Sequence, residues 1–137
     1  MDDDIVLLST GGSEGAGSRQ AAFSYHAAAG HLKRPGSLFM YMAVIQPGEN
    51  IPPHAHPEGT ETILYVLSGN VEHRYGRGMD KSMLNQPGDF VYIPGGVPHQ
   101  PVNLSSSEPV RAIVACNFDL GIEGNSIPYV NEEERKG

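Results

Sequence analysis

The sequence predicts an all-β fold, an antiparallel sandwich or small barrel. Three observations carry that expectation. Short apolar, β-prone segments recur along the chain, proline and glycine punctuate them at close intervals, and apolar residues almost never recur at helical spacing. At 137 residues the chain is of single-domain size, long enough for one sizeable core and short for two.

Taken in order, the chain opens with three acids, Asp2 to Asp4, and a β-prone piece at residues 5–8 (IVLL), which suits an edge strand. Residues 9–18 are dominated by glycine and serine, a composition that disfavours regular structure, and are expected to form a flexible loop. Residues 21–30 (AAFSYHAAAG) fit either a helical turn or a strand carrying Phe23 and Tyr25. The run 37–46 (SLFMYMAVIQ) lies between Pro35-Gly36 and Pro47-Gly48, and its continuous apolarity predicts a strand buried on both faces, with Met40 and Met42 in the core. Further strands are expected at 61–67, 71–75, 90–93 and 111–117, with turns at Pro87-Gly88, at Gly95-Gly96 and across 105–109. The charged tail, 131–137, is expected to fray. The organisation is then an arm (1–36), a barrel (37–120) and a C-terminal tail (121–137).

Charge narrows the partners. Sixteen Asp and Glu against nine Lys and Arg give a net charge of −7, which argues against nucleic acid or an anionic membrane and for a small-molecule ligand. The lone Cys116 cannot form an internal disulfide, and the MDDD start lacks a basic n-region and apolar h-region. A cytoplasmic setting is expected. No apolar run approaches the ~18 residues needed to span a bilayer, so a soluble protein is expected.

Two stretches carry chemistry. The first, residues 48–69 (GENIPPHAHPEGTETILYVLSG), places His54 and His56 one residue apart after a proline-rich turn and adds Glu61. Residues two apart on an extended strand share a face, so both imidazoles point the same way. The second, residues 88–103 (GDFVYIPGGVPHQPVN), uses Pro94, Gly95, Gly96 and Pro98 to fix a tight turn and presents His99 directly after it.

These stretches resemble the two motifs of the cupin superfamily. Gly48, His54, His56, Glu61 and Gly69 match the first, G-x5-H-x-H-x(3 or 4)-E-x6-G; Gly88, Pro94, Gly96, His99 and Asn103 match the second, G-x5-P-x-G-x2-H-x3-N, without a gap. One spacing departs from the pattern. Seven residues separate Glu61 from Gly69 where the motif has six, so counting back from Gly69 puts Thr62 in the ligand register. A one-residue slip turns a side chain to the opposite face unless a bulge absorbs it. The resemblance implies a double-stranded β-helix, or jelly roll, holding one divalent transition metal (Fe, Mn, Ni, Co, Cu or Zn) on His54, His56, Glu61 and His99. Glu58 is the second carboxylate candidate, and a three-histidine site is the third arrangement.

Other residues are read more plainly. His73, which shares strand parity with Val71 and Tyr75, is expected to be an ordinary sheet residue, with a pocket-lining hydrogen-bonding group as the alternative, and His26 and His31 surface groups. Cys116 shares strand parity with Val114 and Ala112 and is expected to be a small buried filler, while Asn103 caps the turn beyond His99. No G-x-S-x-G elbow or phosphate-binding loop is present. Three functions fit the resemblance: a metal-dependent enzyme on a small organic acid, enolizable carbonyl or polyphenol-like substrate, with oxidoreductase (dioxygenase-like) or isomerase chemistry; a non-catalytic ligand-binding module; and a phosphosugar isomerase or epimerase, for which Arg74 and Arg111 would have to face the pocket. A homodimer is expected, because an open sheet has edges to cover.

Overall fold

A computed structural model describes residues 17–20, 23–27, 38–49, 51–120, 122 and 124–130, the first two stretches by backbone alone. Eleven strands follow in order: β1 (Gly17–Gln20), β2 (Phe23–Ala27), β3 (Phe39–Ile45), β4 (His54–Ala55), β5 (Glu61–Ser68), β6 (Val71–Tyr75), β7 (Lys81–Asn85), β8 (Phe90–Pro94), β9 (His99–Asn103), β10 (Val110–Cys116) and β11 (Ile127–Pro128). Every pairing is antiparallel. One sheet has the order β1-β2-β3-β10-β5-β8, the other β11-β4-β9-β6-β7, and together they form a jelly roll. Among the described residues no α-helix occurs; a 3-10 turn at Arg77–Met79 joins β6 to β7.

The two-residue alternation of the strands builds the core between the sheets. On β5, Thr62, Leu64 and Val66 are buried while Glu61, Ile63 and Leu67 are exposed; on β10, Val110, Ala112, Val114 and Cys116 are buried. Tyr41, Ala43 and Ile45 of β3 and Val91 and Ile93 of β8 complete that layer, and Val71 supplies the facing one. Cys116 is thus a buried filler of the core, as its parity indicates.

The apolar segments became β3, β5, β6, β8 and β10 with ends displaced by at most two residues, and 23–27 resolved as a strand. Some expectations need correction. β3 is buried on both faces only toward its end, where Ala43, Val44 and Ile45 are all buried; Leu38 just before it is 72% exposed and Met40 51% exposed, so Met40 lies outside the core. Gly17 and Ser18, expected in a loop, belong to β1. β7 (KSMLN) was not foreseen because an edge strand need not be apolar, nor was β9, whose Pro101 argues against a central strand. β9 tolerates that proline because β4 meets it only at His54↔His99, leaving little ladder on that side to interrupt. Residues 5–8, His31 and the tail 131–137 lie outside the described residues.

Candidate metal centre

His54 stands on β4, His56 one residue beyond its end, and His99 opens β9, directly opposite His54 in the ladder. A candidate ligand atom of each lies within 4.8 Å of those of the other two. The ring centroids of His54 and His99 are 4.4 Å apart, and those of His56 and His99 5.1 Å.

Each ring makes a hydrogen bond that fixes its tautomer. His54 Nδ1 donates to the Pro52 carbonyl (3.1 Å), His56 Nδ1 to that of Asn125 (2.7 Å) and His99 Nδ1 to that of Val97 (3.0 Å). A carbonyl can only accept, so every Nδ1 carries its proton and every Nε2 keeps a lone pair for a ligand. Burial disfavours the charged rings, lowering His54 to about 4 and His99 to about 3, and lowering His56 as well, with the neighbouring imidazoles pushing His54 and His99 the same way. At neutral pH all three are in the neutral form that binds a metal.

The two motif loops hold each other in place. Gly96 N–H donates to the His56 carbonyl (2.7 Å) and Gly95 N–H to that of Thr60 (2.8 Å). Gly95 is required by proximity: a Cβ there would sit 2.1 Å from the Pro57 carbonyl oxygen and 2.9 Å from the Thr60 nitrogen. Asn103, at the far end of β9, knits the following loop by donating from Nδ2 to the carbonyls of Ile45 and Glu108 and accepting from Ser105 N–H.

Glu61 does not join the histidines. A bulge does lie between it and Gly69: Arg111 pairs with Ser68 and Ala112 with Val66, so Leu67 is the extra residue. From Thr62 to Val66 the alternation runs unbroken, so Thr62 takes the inward position and Glu61 the outward one, where Oε1 accepts from Tyr92 O–H (2.9 Å). Glu58 is exposed on the turn before β5, its carboxylate against Gly96. Thr62 is 5% exposed, and its Oγ1 is sealed from water with no partner among the described residues.

Sequence reasoning undervalued His73. It is buried on the inner face of β6, with Nδ1 2.6 Å from Oδ1 of buried Asn85 on β7. Asn85 therefore fixes Nδ1 as the donor and leaves Nε2 as an acceptor. The signal was available in the parity His73 shares with Val71, but nothing in the sequence paired it with Asn85. The Asn125 carbonyl that orients His56 was equally hidden, 69 residues away in a segment read as tail.

A cavity of about 60 Å³ opens beside the cluster, lined by the three histidines, His73 and apolar residues such as Leu64, Ile93 and Val114. That is room for an ion and a few small ligand atoms. Among the described residues no Lys or Arg lines it. Arg74 is exposed and paired with Glu72, and Arg111 is exposed on β10.

Residues 41–116 match the family model described as a cupin domain. The chain belongs to the cupin family. No curated protein matches this cupin significantly. Among solved structures it resembles a putative sugar phosphate isomerase from Acidithiobacillus ferrooxidans (22% identity, 72% of this chain and 61% of that one, TM-score 0.60). It also resembles Bacillus subtilis oxalate decarboxylase, a protein with Mn(II) centres (19% identity, 80% and 29%, TM-score 0.64), and an oxalate oxidase solved with glycolate (24% identity, 59% and 42%, TM-score 0.51). This cupin thus spans about three-fifths of the first and under a third of the second. At these identities the likeness is one of fold.

Proposed function

We propose that this cupin is a metal-dependent enzyme acting on a small organic acid or enolizable carbonyl compound, with one divalent transition metal (Fe, Mn, Ni, Co, Cu or Zn) held by His54, His56 and His99. One observation carries the reading: three neutral imidazoles converge within 4.8 Å, each with its Nδ1 proton on a backbone carbonyl, so that Nε2 is the unprotonated, metal-binding nitrogen of every ring. Three uncharged ligands leave a divalent ion its full charge, which favours an anionic oxygen ligand in the open positions. When bound, the metal supplies Lewis acidity toward a carboxylate or carbonyl oxygen and, as iron, redox chemistry with dioxygen. The chain supplies the rest. Leu64, Ile93 and Val114 keep bulk water from the reacting groups, and His73, through Nε2, accepts a proton or hydrogen bond from substrate. Glu61 lies outside this proposed shell.

A phosphosugar isomerase is the alternative reading: among the described residues no Lys or Arg lines the inner cavity, and Arg77 and Lys81, in the adjoining cavity, are the basic residues it would have to use. A non-catalytic binder would carry its ligand through purification and show no turnover, which intact-mass analysis of an extract separates from the enzyme. A cytoplasmic homodimer accompanies the proposal: the outer face of the six-stranded sheet exposes Met40, Ile63, Phe90 and Tyr92, an apolar surface suited to a second copy. Among the described residues no helix is long and apolar enough to cross a membrane.

Elemental analysis of untagged protein, purified without added metal, tests the centre. One equivalent of a transition metal is expected, lost in His54→Ala and His99→Ala while the circular dichroism of the fold persists. Full metal retention in both variants would overturn the assignment.

A further inference from the structure

A second cavity, about 420 Å³, lies where the two sheets stay apart. β8 ends one sheet and β7 the other, so no ladder closes the seam between them. The space falls within the ~300–1,000 Å³ typical of small-molecule sites. It shares His73, Ile93 and His99 with the inner cavity, so a molecule in the seam lies against two of the histidines, His73 and His99.

The seam has a distinct chemistry. Directly opposed residues of an antiparallel pair share a face, and Lys81 opposes Tyr75 as Met83 opposes His73; Lys81 therefore belongs to the inner face of β7. Arg77, on the 3-10 turn, joins it, and among the described residues these are the only Lys, Arg, Asp or Glu side chains that line the cavity. Among the described residues neither is ion-paired to a carboxylate. The remaining wall is largely apolar, with Met83, Val91, Ile93, Val97 and Pro98. Two cations at the rim of an apolar pocket, in a chain of net charge −7, mark where an anion is to be held.

We propose that the seam between β7 and β8 binds a monocarboxylate with an apolar body, its carboxylate on Arg77 and Lys81 and its opposite end delivered to His73 and His99. The inference rests on the metal-enzyme reading for what happens at that far end, and it names the substrate class. A bare dicarboxylate such as oxalate fills neither the volume nor the apolar wall.

Calorimetric titration of the full chain with 3-phenylpropanoate tests the site. Binding is expected in both metal-loaded and chelator-treated protein, ten-fold or more weaker in the Arg77→Gln/Lys81→Gln double variant, equally weakened for 3-phenylpropanamide, and unchanged in Arg111→Gln on the outer face. Oxalate is expected to bind more weakly than 3-phenylpropanoate to chelator-treated protein. Equal affinity for acid and amide, or an unaffected double variant, overturns the proposal. So does a double variant that associates edge to edge while binding as before, since Lys81 would then only guard an exposed strand. The two readings fail separately: protein that binds metal but no phenylpropanoate refutes the seam site alone, and protein that binds phenylpropanoate but no metal refutes the metal centre alone.

Discussion

Replacing Thr62 with valine should stabilise the metal-free protein. The side chain is 5% exposed on the inner face of β5, and its Oγ1 is sealed from water with no partner among the described residues. An unsatisfied buried hydroxyl costs about 1–3 kcal/mol, and the methyl that replaces it adds roughly 0.8 kcal/mol of apolar burial. Valine keeps the β-branched shape the strand prefers. Allowing for imperfect fit of the new methyl against its neighbours, a net gain of about 1–2 kcal/mol is expected. For a chain of this size each kcal/mol moves Tm by about 3–6 °C. Urea unfolding of both proteins after chelation, followed by circular dichroism, measures the difference directly, and an unchanged m-value confirms that only native stability moved. A Thr62→Val protein less stable than the parent by more than about 0.5 kcal/mol would refute the reasoning, because the hydroxyl would then have a partner. Glu61→Gln is the matching control, expected to change metal affinity by less than about two-fold, since its carboxylate meets Tyr92 on the opposite face.

Other perturbations follow from the same geometry. Gly95→Ala forces a Cβ to 2.1 Å from the Pro57 carbonyl oxygen, so the motif loops must separate; a loss of about 3 kcal/mol or more and a weakened metal site are expected in denaturant and metal-binding titrations. Acid should unfold the metal-free protein early. The unfolded chain takes up protons below pH ~6.5, whereas folded His99 and His54 resist until about 3 and about 4, so stability is retained at neutral pH and falls with acid. Those two rings alone remove about 2 kcal/mol between pH 6.5 and 5.5, and His56 and His73 act in the same direction. Urea midpoints measured across that interval check it, and a flat profile would contradict it.

How far the sequence could be read depended on whether the deciding contact was local. The His54-x-His56 spacing, the rigid turn before His99 and the alternation of Val110, Ala112 and Val114 are written within a few residues, and the structure bears them out. The register of the carboxylate was also local: counting back from Gly69 reaches Thr62, the residue that turned inward. What stayed hidden depends on pairing across the fold. Asn85 orients His73 from a neighbouring strand, Arg77 and Lys81 share a cavity with His99 only because two sheet edges lie open, and β7 has no apolar pattern because it is one of those edges.

The segment after β10 sets a clock on the centre. His56 is oriented by the Asn125 carbonyl, and His54 is paired through Pro128 of β11. At a synthesis rate of roughly 5–20 residues per second, several seconds separate His56 from the residues that hold it. On the proposed metal reading, an ion met by the nascent chain would find His56 without its orienting carbonyl until residues 125–128 have been added and folded back.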